Sequence, residues 1–102
     1  MIDWDVAYRI ATDYVATLPI DATHGDRSII DDRFTEAYDF GWLFHFQSAF
    51  WIQTGDPLWQ LLDNFPFLVD RRDGHTIPVP PRHKAEMLYR FAQQWAAELP
   101  LA

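Results

Sequence analysis

No cysteine occurs among the 102 residues, which excludes a disulfide scaffold, a thiolate metal site and a cysteine nucleophile. Basic residues are scarce too: eight Lys and Arg stand against fifteen Asp and Glu, for a net charge of −7. Nucleic acids and anionic membranes select positive surfaces, so direct binding to either is not expected. No stretch approaches the ~18 uninterrupted apolar residues of a membrane span. The start, Met1-Ile2-Asp3-Trp4-Asp5, lacks the basic and then apolar pattern of a secretory leader, so a soluble, cytoplasmic protein is expected. Only four glycines are present, with no Gly-rich phosphate loop, Gly-x-Ser-x-Gly elbow or Ser-His-Asp order.

What the chain has in quantity is apolar and aromatic surface: 49% of residues are hydrophobic, with five Trp and eight Phe. Large rings bury much area each, so a compact core is within reach of a chain this short, and residues 1–102 are expected to form one α+β domain. The acidity is uneven. Residues 1–65 carry a net −8 and residues 66–102 a net +1. Such a field favours a basic protein partner through complementary steering, although acidity also serves solubility alone.

The pattern of apolar positions sets out the elements. Val6, Ala7, Ile10, Ala11, Tyr14, Val15 and Leu18 recur at helical spacing, predicting an amphipathic helix over 3–18 with Asp3 as N-cap and Pro19 as its stop. Residues 19–31 read as a polar loop. Residues 32–38 fit a strand with Phe34, Glu36 and Tyr38 on one face, but Glu36 interrupts that face and leaves the pattern open; only the resemblance set out below favours the strand. From Gly41 to Ser48, Trp42, Phe44 and Phe46 alternate with Leu43, His45 and Gln47, the period of a strand. Asp56-Pro57 is a sound start for a short helix over 57–62. Phe65 to Val69 and Thr76 to Val79 flank the turn Asp70 to Gly74, which makes a hairpin, and Pro78 puts its second strand at an edge. A final helix from about residue 82 carries Leu88, Phe91, Ala92, Trp95 and Leu99 as its stripe and ends at Pro100. The expected fold is an antiparallel sheet of about four strands packed by an N-terminal and a C-terminal helix, with the short helix beside it.

Candidate chemistry is thin. His24, His45, His75 and His83 match no compact ligand spacing, so no metal and no other cofactor is expected. Asp31, Asp32, Glu36 and Asp39 read either as an acid–base pair, a solvated face or an acidic patch facing a partner. The aromatics are committed to a core, which leaves little room for a catalytic cleft. Arg71-Arg72 sits between Asp70 and Asp73, which suits a charged hairpin turn better than an anion clamp. Ala49-Phe50-Trp51-Ile52 and Leu58-Trp59 are more apolar than a connection requires, so Trp51 and Trp59 are candidate interface anchors.

The order and spacing of Gly41-Trp42 with its alternating aromatics, Gln47-Ser48, Thr54-Gly55-Asp56, Asn64 before Pro66, and Leu68-Val69-Asp70-Arg71 with Gly74 resembles the immunity protein 35 family of bacterial polymorphic toxin systems, a group that includes YrhB-like small proteins. The resemblance implies a cytoplasmic antidote that binds and silences a cognate toxin, with no catalytic residue of its own. It also leaves a second role open, that of a small chaperone for unfolded clients. On the antidote reading the expected toxin-binding residues are Asp31, Asp32, Glu36, Asp39, Trp51 and Trp59.

Overall fold

Asp3 begins the first helix because its carboxylate accepts from the free Val6 N–H at 3.0 Å, satisfying a donor that the first turn leaves unpaired. The computed structural model describes residues 1–20 and 24–98. Helix α1 (Trp4–Ala16) buries Ala7, Ala11 and Val15, a stripe at a spacing of four. Two alanines there let the helix backbone lie close to a sheet. Strand β1 (Ser28–Ile30) follows, then a single 3-10 turn over Asp32–Phe34, then β2 (Glu36–Tyr38), β3 (Gly41–Phe44) and β4 (Phe46–Ser48). Helix α2 (Ala49–Thr54), a 3-10 turn over Pro57–Trp59, strands β5 (Phe67–Asp70) and β6 (Thr76–Pro78), a 3-10 turn over Pro81–His83 and helix α3 (Lys84–Glu98) complete the described chain.

Among the described residues the α+β architecture has two antiparallel sheets. Four strands run in the order β2-β3-β5-β6, and β1 pairs with β4 as a separate ribbon. In the central pair Trp42 faces Val69, Leu43 faces Leu68 and Phe44 faces Phe67. Alternation then sends Trp42, Phe44, Phe67 and Val69 into a core with α1, and Leu43 and Leu68 into a second core with Phe40, Val79 and the Met87, Leu88, Phe91 and Trp95 side of α3. A helix therefore covers each face, which is why both β3 and β5 are buried at every position. Gly41 is required where β3 crosses β5: its φ is +153°, and an added Cβ would overlap the Val69 carbonyl.

The hairpin, the Pro78 edge strand and the Asp56 cap with Pro57 behind it stand as expected. Several expectations need correction. The aromatic alternation runs unbroken from Trp42 to Phe46, yet the strand changes sheet at His45, whose carbonyl accepts from Asp31 N–H at 2.8 Å. Ser28–Ile30, expected in a loop, is strand because it pairs residue by residue with Phe46–Ser48. Asp32–Phe34, expected in a strand, is a 3-10 turn because Asp31 caps it. The short helix over 57–62 is only the turn Pro57–Trp59, and the helix beside the sheet is instead α2, capped at Trp51 N–H by Ser48 Oγ at 3.2 Å. On α3, Met87 packs inward while Ala92 is exposed. Leu99 and Pro100 lie outside the described residues.

Candidate interaction surface

Three of the six expected contact residues, Asp31, Glu36 and Trp51, gather around Arg33. Asp31 is only 5% exposed, and its carboxylate accepts from Arg33 Nε at 2.9 Å and Nη2 at 2.8 Å. The Arg33 hydrogen bond holds Asp31 below the usual carboxylate range, against the upward push of burial. The guanidinium then lies 5.2 Å from the Phe34 ring centroid and 5.9 Å from that of Trp51, and the edge of His45 meets Phe34 at 6.1 Å. Phe34 is 53% exposed.

Glu36 closes this corner. Its carboxylate accepts from Tyr38 OH at 2.7 Å and from Lys84 Nζ at 2.9 Å, with His45 Nε2 at 3.3 Å. Burial pushes Glu36 up, but the three donors outweigh it and bring its pKa to about 2. The neighbouring hydroxyl moves the other way: burial and the Glu36 charge push Tyr38 up to about 12. Lys84 thereby ties the first residue of α3 to the edge strand β2. Asp32 remains exposed and accepts from Tyr8 OH at 2.9 Å. Asp39 is exposed in the β2–β3 turn, and Trp59 stands apart, packed edge-on against Phe50 at 5.1 Å. Among the described residues, ion pairs hold Asp31 and Glu36 and none is formed by Asp32 or Asp39. Ion pairing thus offsets the acidic charge at two of the four positions.

A second region was only half visible in the sequence. Between α2 and β5 the backbone of residues 55–65 forms no strand and no α-helix, and polar side chains fix it at one point after another. Gly55, at φ +70°, ends α2 in the left-handed region. Thr54 Oγ1 accepts from Asp56 N–H at 3.1 Å, and Asp56 Oδ1 from Leu58 N–H at 3.0 Å. Gln47, 8% exposed, reaches across from β4 and grips Leu61 twice: its Oε1 accepts from Leu61 N–H at 2.6 Å and its Nε2 donates to Leu61 C=O at 3.1 Å. Asn64 Nδ2 donates to the Phe46 carbonyl at 2.6 Å.

This fastening turns Trp59 and Leu61 inward and leaves Leu58 76%, Leu62 83% and Phe65 48% exposed. Leu61 and Leu62 also border a shallow cleft of about 440 Å³ with Leu18, Pro19 and Phe46. Sequence reasoning did not single out Leu62 or Phe65. The available signal was the absence of any Lys or Arg between Arg33 and Arg71, around an apolar cluster at 58–65.

The Asp70–Gly74 turn is neutralised internally at one pair, Asp70 with Arg72, while among the described residues Arg71 and Asp73 form no ion pair. Asp70 is held low by Arg72, whose bonds outweigh the effect of burial, and Arg72 also pairs with Glu98. Arg71 lies 4.4 Å above Trp42. Among the described residues no group of three His, Asp or Glu side chains stands close enough to hold a metal, and no helix is long and apolar enough to cross a membrane.

Against known proteins, the family model described as Immunity protein 35 matches residues 6–96, from the first turn of α1 almost to the end of α3. No curated protein and no solved structure matches the chain.

Proposed function

This chain belongs to the immunity protein 35 family, and on that premise we propose that it is the antidote to a cognate polymorphic toxin, which it binds in the cytoplasm as a stoichiometric inhibitor. The observation that carries the reading is the family match over residues 6–96. An inhibitor of this kind needs a rigid scaffold and a complementary surface, and no turnover of its own. The scaffold is supplied by a sheet with a packed helix on each face. The surface runs to either side of α2, where Trp51 leads to Arg33, Phe34 and the acids, and Phe50 leads to Trp59 and the loop after it. Asp32 and Asp39, exposed and outside the ion pairs, steer a basic toxin surface toward it, while Asp31 and Glu36 hold the corner in shape.

The experiment is a titration with the toxin domain encoded beside the gene. Toxin activity should fall linearly and vanish at an equimolar ratio, and cells expressing the toxin should survive only when the chain is co-expressed. Undiminished activity at a tenfold excess of the chain contradicts the proposal. The exposure of Leu58, Leu62 and Phe65 favours one other reading, a YrhB-like chaperone for unfolded clients. That role requires many denatured proteins to bind with similar affinity, in place of one tight partner.

A further inference from the structure

We infer that the loop Gly55–Phe65 is the anchor of recognition, and that its occupant is a folded protein surface presenting apolar side chains ringed by lysine or arginine. The inference rests on the antidote reading and specifies which surface performs it. Single exposed leucines are ordinary on a protein surface. Here Leu58, Leu62 and Phe65 fall within eight residues of one loop, at 76%, 83% and 48% exposure. The backbone beneath them is held by side chains whose burial is costly unless they are hydrogen-bonded, Gln47 above all.

The fastening defines what the loop is for. Gln47, Ser48, Thr54, Asp56 and Asn64 act on the same connection: Ser48 starts α2, Thr54 and Asp56 shape the turn after it, and Gln47 and Asn64 bolt the remainder to β4. Five polar side chains thus order a segment in which Trp59 and Leu61 turn inward while Leu58, Leu62 and Phe65 gain no burial from that order. Ordering before contact lowers the entropy lost on binding, which is where rigid interfaces gain affinity. The charge around the loop selects the partner. Asp56 and Asp63 flank the leucines, no Lys or Arg occurs from Phe34 to Asp70, and neither cleft bordering the loop is lined by one. Exposed apolar side chains set between two carboxylates complement apolar groups ringed by basic ones, and they repel an anionic lipid surface.

The test uses the full chain, its Leu58→Ser/Leu62→Ser variant and its Asp63→Asn variant, each titrated with the toxin domain encoded beside the gene. The double serine variant should keep the wild-type melting temperature and raise Kd by about 100-fold, chiefly through faster dissociation. Asp63→Asn should raise Kd by about threefold at low salt and by nothing at 1 M salt. Wild-type affinity in the double serine variant overturns the inference while leaving the antidote reading in place. Failure of the wild-type chain to bind the toxin overturns that reading, and the inference with it. If the wild-type chain keeps heat-denatured citrate synthase from aggregating and the double serine variant does not, the occupant is an unfolded client and the proposed partner is wrong.

Discussion

The central strand pair β3–β5 and the loop Gly55–Phe65 are built from similar side chains and put them to opposite use. In the strands, backbone groups satisfy each other across the ladder, so Trp42, Leu43, Phe44, Phe67 and Leu68 are free to enter the two cores and are at most 5% exposed. The loop has no ladder. Gln47 reaching in from β4 and Asp56 of its own turn satisfy backbone groups of Leu61 and Leu58, Asn64 ties the segment to the β4 backbone, and Leu58, Leu62 and Phe65 face outward. The contrast shows that apolar content alone does not sort fold from function here. What sorts them is which groups hold the backbone and which direction that leaves for the side chains.

The contrast is broken most forcefully in the strands. Trp42→Ala should cost about 3 to 5 kcal/mol, because it opens a cavity beside Trp4 and Phe44. It also removes the ring beneath the Arg71 guanidinium. Chemical denaturation measures that loss, and toxin binding should fall only in step with the folded fraction. Gln47→Ala should cost about 1 to 3 kcal/mol, since it strips partners from both Leu61 backbone groups and from Ser48 N–H. Unlike Trp42→Ala, it should also speed hydrogen exchange selectively at residues 58–64 in the folded protein.

Acid sharpens the contrast by acting on the scaffold. The folded pKa of Glu36, about 2, lies below its ordinary value of 4.5, so its contribution to stability is complete above pH 4.5 and is lost as pH falls through 4.5 toward 2. Subtracting the pH–stability curve of Glu36→Gln from that of the wild type should show a difference that shrinks over this window. A difference that grows on acidification would mean that Lys84 and Tyr38 do not hold the carboxylate. Smallest is the effect of Asp32→Asn with Asp39→Asn, which should leave stability within about 0.5 kcal/mol of wild type. The same pair should slow association with the toxin about twofold to fivefold, an effect that raised salt reproduces in the wild type.

Much of the scaffold was legible in the sequence because two periodicities write it directly. The alternation in 41–46 and the continuous apolar run of 65–69 marked the central strands, the spacing from Ala7 to Val15 marked α1, and Pro78 marked the edge. The switch at His45 was not legible, because a strand that moves from one sheet to another keeps its period of two. Nor was β1, whose three residues gain their strand character from Phe46–Ser48 across the ribbon. Helix α2 has six residues, too few to display a period. At the surface, Asp31 and Glu36 read as free acids because their partners act at different ranges. Arg33 is two residues from Asp31, whereas Lys84 comes to Glu36 from another helix. The loop's outward face depends on Gln47 gripping Leu61 fourteen residues away, a contact that no local pattern encodes.

Hydrogen exchange of the full chain, free and bound to the toxin domain encoded beside its gene, tests the division between scaffold and loop most directly. The account predicts new protection at the backbone amides of residues 58–65, with a smaller effect at α2 and no change along β3 and β5, which are already protected by their ladder. Protection confined to α1 and α3 with residues 58–65 unchanged would contradict it.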